Sequence, residues 1–307
     1  MSEVISLKRR IQPWQAAVCL GVSAYLVLGA MTNSIRGYHW LMLAAVPGVL
    51  VSGDRGRRFF VDWSPLFAFW LVYDRLRLIQ PLLYSRVSVD EAFLMERAAF
   101  GWLANGAVPA HAAHSWLASH ASLFSLAVEW TAQLVYLSHL FVAPLIMLAL
   151  WILAASRKAY REAFVQHLRA FTVLNFSAIV VYLLLPVAPP WWVSLNEFAQ
   201  PTVELVGQAN MGAAMQGVLI QGMISNASQW FAAVPSLHGA YPVLLLLLSS
   251  WIRGRRARAW IAAYGCAMWA ATVVLNQHYI IDLIAGALLA VVAWWAAGLW
   301  RRRDRLS

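Results

Sequence analysis

Eight stretches of this chain stay apolar for the length of a membrane crossing, and that pattern restricts its fold more than any single motif does. They lie near residues 14–31, 37–53, 63–80, 124–155, 170–187, 237–252, 259–276 and 279–300. At helical rise, about 17 to 25 apolar residues match a hydrocarbon core about 30 Å thick. The second and sixth stretches are short, and the fourth is long enough to tilt or to begin in the interface. With 62% hydrophobic residues, 17 Trp and 12% charged residues in 307, the chain is too apolar for an ordinary soluble domain. The expected fold is all-α: a polytopic membrane helix bundle of about eight transmembrane helices.

The formal charge of +10 would suggest nucleic acid as the partner of a soluble chain, but the placement of the cations argues for topology instead. Lys8, Arg9 and Arg10 precede the first stretch, and Arg55, Arg57 and Arg58 follow the second. Arg157, Lys158, Arg161 and Arg169 lie between the fourth and fifth, and Arg253, Arg255, Arg256 and Arg258 between the sixth and seventh. Arg301, Arg302, Arg303 and Arg305 follow the eighth, so 18 of the 23 cationic residues fall on one face of an eight-span bundle. The positive-inside rule puts that face and both termini in the cytoplasm. Segments 31–38, 81–123, 188–236 and 277–278 then lie outside, which fits a bacterial inner membrane with a periplasmic site. The first apolar stretch lacks a small-residue cleavage site after it and reads as a retained span.

Other signals are structural. Cys19 and Cys266 sit inside predicted spans as small apolar residues, with no disulfide or metal site implied. Within 81–123, Glu91 to Leu103 mixes charges with apolar residues at helical spacing and is expected to lie in the interface plane. The loop 188–236 opens with Pro189, Pro190, Trp191 and Trp192, whose tandem Trp suits the headgroup level. Its Gly207, Gly212, Gly217 and Gly222 would make a mobile cover over a lipid entry. Asn226-Ala227-Ser228 matches a glycosylation sequon by chance. His111, His114 and His120 have a metal-like spacing, but no Cys or carboxylate completes a ligand set.

The chemistry concentrates in Pro235-Ser236-Leu237-His238 and in Asn276-Gln277-His278-Tyr279-Ile280-Ile281-Asp282, which place a histidine at the outer start of two apolar helices. Ionisable groups at bilayer depth are costly and mark function. His278 and Asp282 are four apart, hence on one helical face, so the carboxylate can fix the imidazole tautomer and leave the other ring nitrogen free to attack. His238 can protonate a leaving oxygen. Such a pair suits attack on phosphorus, where nucleophile and acid face each other. Ser236 and the amides after it would offer a positive helix end to an anion.

These two motifs resemble the second and third motifs of the type 2 phosphatidic acid phosphatase superfamily, and most closely its inositol phosphorylceramide synthase branch, with sphingomyelin synthase a more distant relative. The resemblance extends to Tyr136-Leu137-Ser138-His139, to Pro186-Val187-Ala188-Pro189-Pro190-Trp191, and to Asp62-Trp63-Ser64-Pro65 with Tyr73-Asp74-Arg75-Leu76-Arg77. It implies His278 as the nucleophile of a phosphohistidine, Asp282 as its orienting partner and His238 as general acid and then base. It implies no metal and no cofactor. Substrate contacts would come from Ser236, Asp74, Arg75, Arg77, Tyr136, His139 and Tyr279. The implied six-helix phosphatase/phosphotransferase core covers residues 61–300, with two additional helices in 1–60 and a basic tail in 301–307.

One departure narrows the substrate. Phosphatases of the superfamily carry a Lys and an Arg in a first motif and an Arg six residues before the nucleophile, where this chain has Thr272. A phosphomonoester bears nearly two charges and a diester one, so fewer cations favour a diester. The expected reaction moves a phospho-headgroup, inositol-phosphate-like, from a phospholipid donor to a lipid alcohol acceptor, with no nucleic acid involved. Arg75 and Arg77 can supply charge, or Asp74 can hold them in a structural ion pair. The alternatives are a phosphatase acting on phosphatidate or polyprenyl phosphate and, from another class, a non-catalytic protein that binds or transports lipids.

Overall fold

The structure, a computed structural model, describes residues 11–120, 122–196, 228–251 and 254–303. Each of the eight apolar stretches has most of its described residues in a helix. In chain order the α-helices of the described residues are α1 (Pro13–Met31), α2 (Trp40–Val51, led by a 3-10 turn Gly37–His39), α3 (Asp54–Ile79), α4 (Asp90–Phe100), α5 (Pro109–Ser119), α6 (Leu123–Leu153), α7 (Lys158–Leu184), α8 (Pro190–Asn196), α9 (Leu237–Leu248), α10 (Arg255–Val274) and α11 (Ile280–Arg303). Four of them, α1, α6, α7 and Ile280–Leu299 of α11, are both long and apolar enough to cross a membrane, and Gly37–Val51 and Leu237–Trp251 are shorter apolar helices. The fold is a polytopic membrane helix bundle. The Gly-rich stretch 207–222 and the sequon at Asn226 lie outside the described residues.

The chain divides into two compact units, Met1–Ala68 and Phe69–Ser307. In the first, Gln15 of α1 is buried and its Nε2 donates to the carbonyls of Val49, Leu50 and Ser52 at 3.0, 3.1 and 2.9 Å. Those are end-of-helix carbonyls of α2, which have no partner inside the helix and in hydrocarbon must find one.

In the second unit, α9 packs against α11, α7 and α10, and α6 packs against α7 and α10. The backbone makes the closest of these contacts possible. A Cβ on Gly239 would stand 2.5 Å from the Leu283 carbonyl oxygen, and one on Gly286 would stand 2.0 Å from that of Ser236. The two helices thus cross with their main chains touching, and Ser236 N–H donates to the Asp282 carbonyl at 3.0 Å.

Two features differ from the sequence reading. Trp191 and Trp192 are buried, packed with Tyr136, Phe231, Ala271 and Leu275 instead of standing in a headgroup belt. Short α8 turns them inward: Trp191 N–H donates to the Asn276 carbonyl at 2.9 Å, and Trp192 meets Phe231 edge-on at 4.9 Å. Arg161 and Arg169 are helical, because α7 starts at Lys158, well before its apolar stretch. At the end of the unit that carries α4, α5 and α8, an extended stitch joins Ser88, Val187 and Ala232. Ser88 N–H donates to Pro186 O and Ala188 N–H to Ser88 O, both at 2.9 Å.

Candidate active site

The loop between α10 and α11 is shaped by one residue. Asn276 adopts a left-handed conformation with φ of 59°, its N–H donates to Val273 O at 3.0 Å, and Gln277 N–H donates to Thr272 O at 2.9 Å. This is a Schellman termination of α10, with Asn where Gly is commonest. It reverses the chain within a few residues and sets His278 two residues before the first residue of α11. Asn276→Gly, which accepts positive φ, is therefore expected to keep most of the folded protein's activity. Asn276→Val, β-branched at positive φ, is expected to lose at least about tenfold in turnover, measured with both proteins in the same detergent.

His238 begins α9. Ser236 acts as its N-cap, with its Oγ accepting Gly239 N–H at 3.3 Å. Tyr182 of α7 donates its hydroxyl to the Pro235 carbonyl at 2.8 Å, which anchors the approach to that cap. The result brings together two rings separated by 40 residues in sequence: His238 Nδ1 lies 3.1 Å from His278 Nε2. On the far side of His278, Nδ1 stands 3.4 Å from Asp282 Oδ2. That is a long contact; the same oxygen accepts Tyr279 N–H at 2.9 Å.

The cluster is buried and walled by rings. Asp282 is fully buried and His278 is 7% exposed. Tyr136 of α6 stacks on His238 with centroids 4.2 Å apart and planes 21° apart, and His139, one turn on, meets His238 edge-on at 4.1 Å. The His139 ring is held through Nδ1 to the Tyr136 carbonyl. Among the described residues, His238 Nε2 and His278 Nδ1 are both buried with no hydrogen-bond partner, Nδ1 keeping only its long contact to Asp282.

Other predicted residues fall elsewhere. Ser236, also fully buried, spends its hydroxyl on its own helix. Tyr279 is packed with Ala92, Val108, Ala110, Val187 and Ala233, at the contact of α11 with the short helices. Asp74 Oδ1 pairs with Arg77 Nη2 at 2.6 Å, and Arg75 Nε lies 3.8 Å from Asp74 Oδ2. Arg77 Nη2 also donates to Ser228 Oγ at 2.9 Å, ten residues before His238. Thr272 is fully buried and donates its hydroxyl to Trp269 O at 2.7 Å, so the position of the expected phosphatase arginine is turned onto its own helix. His111 is held at 3.1 Å to Pro190 O, and burial lowers its pKa. Among the described residues no three His, Cys, Asp or Glu side chains are arranged to hold a metal ion. Cys19 and Cys266 are both unpaired.

Sequence reasoning passed over two features. Gly239 and Gly286 set the distance between the histidine-bearing helices; their only signal is position, directly after His238 and four residues after Asp282. Glu96 of α4, fully buried, accepts the N–H groups of Ile280 and Ile281 at 3.0 and 3.1 Å. In sequence it is one acid in an interfacial-looking segment.

Fold and site together define a membrane-embedded helix bundle with a His–His–Asp constellation where two of its core helices begin. The sequence profile described as the PAP2 superfamily matches residues 106–296, which span α5 through most of α11. The chain belongs to the PAP2 superfamily. It is 28% identical over 284 residues to a protein named phosphoinositol dihydroceramide synthase from Bacteroides thetaiotaomicron, covering 89% of this chain and 88% of the relative. It is 29% identical over 129 residues to inositol phosphorylceramide synthase of Candida albicans, covering 41% of this chain and 27% of that one. It is 29% identical over 123 residues to the catalytic subunit of inositol phosphorylceramide synthase of Saccharomyces cerevisiae, covering 39% and 30%. No solved structure matches the chain. The protein is an integral membrane enzyme acting on membrane lipids.

Proposed function

We propose that this enzyme moves a phospho-headgroup, inositol phosphate or one like it, from a phospholipid donor to the hydroxyl of a ceramide-like lipid alcohol through a phosphohistidine on His278. The observation that carries this reading is the 3.1 Å approach of His278 Nε2 to His238 Nδ1, with Asp282 behind the first ring. The lone pair of Nε2 attacks phosphorus, the bond from phosphorus to the diacylglycerol oxygen breaks, and that oxygen takes a proton from His238. The acceptor hydroxyl then returns a proton to His238 while its oxygen attacks phosphorus, and the P–N bond breaks with its electron pair going back to Nε2. No proton is gained or lost over the cycle, which lets it run in a site closed to water. Asp282 stabilises the cationic ring of the intermediate, so its 3.4 Å contact is expected to shorten there.

In this reading Tyr136 and His139 fix the plane of the His238 ring, and Arg75 and Arg77, steadied by Asp74, offer positive charge to a diester. The inward-turned Thr272 supports a singly charged substrate. Residues 61–300 supply the catalytic core, and the cation-rich connections face the cytoplasm, placing the site on the periplasmic side of a bacterial inner membrane. Purified protein given labelled phosphatidylinositol and a ceramide is expected to yield a labelled phosphoinositol ceramide, and to release little free phosphate from phosphatidate. Release of phosphate from the monoester, with no transfer from the diester, would assign the scaffold to a phosphatase instead.

A further inference from the structure

The residue before α11 brings no capping side chain of its own. Tyr279 stands at the N-cap position, where Ser, Thr, Asp or Asn ordinarily supplies an acceptor, and it is itself fully buried. Three amides are nonetheless satisfied: Tyr279 N–H by Asp282 Oδ2 at 2.9 Å, and Ile280 and Ile281 N–H by the two oxygens of Glu96 at 3.0 and 3.1 Å. The Asp282 contact is one half of a capping box, with the residue at the third helical position reaching back. The other amides are served across 184 residues of sequence.

We infer that Glu96 is a positioning residue for the reaction: its carboxylate clamps the first turn of α11 and so holds Asp282, and through it His278, in register with His238. Glu96 touches no reacting atom and acts only through the helix. Its own position is fixed from behind, because α4 opens beside Ser88, whose Oγ donates to Glu91 at 2.6 Å and whose backbone is stitched to Pro186 and Ala188. Burial pushes the Glu96 carboxyl above the ordinary carboxylate range, while the two amides pull it back down. A carboxylate near a helix N-terminus is also favoured by the helix dipole. Glu96 lies outside residues 106–296, so this part of the active-site architecture comes from a segment that the superfamily profile does not cover.

The inference rests on the reading of His278 as nucleophile, and the test keeps the two apart. Glu96→Gln keeps the shape but offers one acceptor where two amides need one each. In detergent-purified protein, hydrogen–deuterium exchange of a peptide covering residues 279–284 is expected to speed up by at least tenfold. Turnover per active site, counted by trapped phosphohistidine, is expected to fall by about 10- to 100-fold with KM for the phospholipid within twofold of wild type, since sub-ångström to ångström misplacement costs rate rather than binding. Glu96→Asp, which keeps the charge one methylene further away, is expected to fall between wild type and Gln, and carries the test if the Gln protein does not accumulate. Unchanged exchange, or faster exchange with unchanged turnover per site, would overturn the positioning role. A wild-type enzyme that turns over without trappable phosphohistidine would overturn the nucleophile assignment instead. Turnover would then be counted per folded protein, and exchange would still report on Glu96.

Discussion

Gly286→Ala is expected to cut turnover by more than about 100-fold and to lower the melting temperature, although it adds a single methyl group to an apolar helix. The new Cβ would stand 2.0 Å from the Ser236 carbonyl oxygen and 3.2 Å from Ala240 N, both main-chain atoms that cannot rotate away. Overpacking a well-filled core typically costs about 1–3 kcal/mol, and a collision with backbone belongs at the upper end. The relief available is to move α11 away from the start of α9, and that motion widens the gap between His278 and His238. A loss of geometry of this size removes far more rate than stability, since reacting groups misplaced by about 1 Å can cost 100-fold. Gly239→Ala, 2.5 Å from Leu283 O on the reciprocal face, is expected to behave alike. Lipid turnover and a thermal melt in one detergent check both variants; full activity in either would show that the helices do not need this approach.

His278→Ala is expected to abolish both phosphohistidine formation and transfer, with turnover down by about 10⁴-fold or more, as for other nucleophiles that form a covalent intermediate. His238→Ala separates the two histidines. Without it, a natural diacylglycerol leaving group has no proton donor, so turnover is expected to fall by about 10²- to 10⁴-fold, the usual contribution of general acid–base catalysis. A donor with a nitrophenolate leaving group departs without protonation. The His238→Ala protein is therefore expected to become labelled on His278 by that donor and then stall, lacking a base for the acceptor. Acid-labile, base-stable label on the protein is the measurement. Label on His278→Ala at the wild-type level would remove the nucleophile assignment, and equal losses for both donors in His238→Ala would remove the acid.

Much of this site can be read from the chain because its chemistry is local. The four-residue spacing of His278 and Asp282 forces one helical face whatever surrounds it, and apolar stretches of membrane length leave the backbone little besides helix. The cations mark the ends of the apolar stretches, because charge is expensive in hydrocarbon. Each is a property of a short window. Trp191 and Trp192 depart from expectation for the complementary reason: a tandem Trp has the same composition at a lipid belt as in a packed core, and only α8 decides which.

The class of fold, the helices, and the two candidate histidines with their aspartate are legible in the chain alone. How those residues meet is a matter of packing. The 3.1 Å approach of His238 to His278 depends on Gly239 and Gly286, which act by having no side chain and so leave no chemical signature. The support of the α11 start depends on Glu96, whose partners are main-chain amides 184 and 185 residues away. Backbone amides are the same in every sequence, so a carboxylate that serves them cannot be told from one that serves water until the fold has placed it.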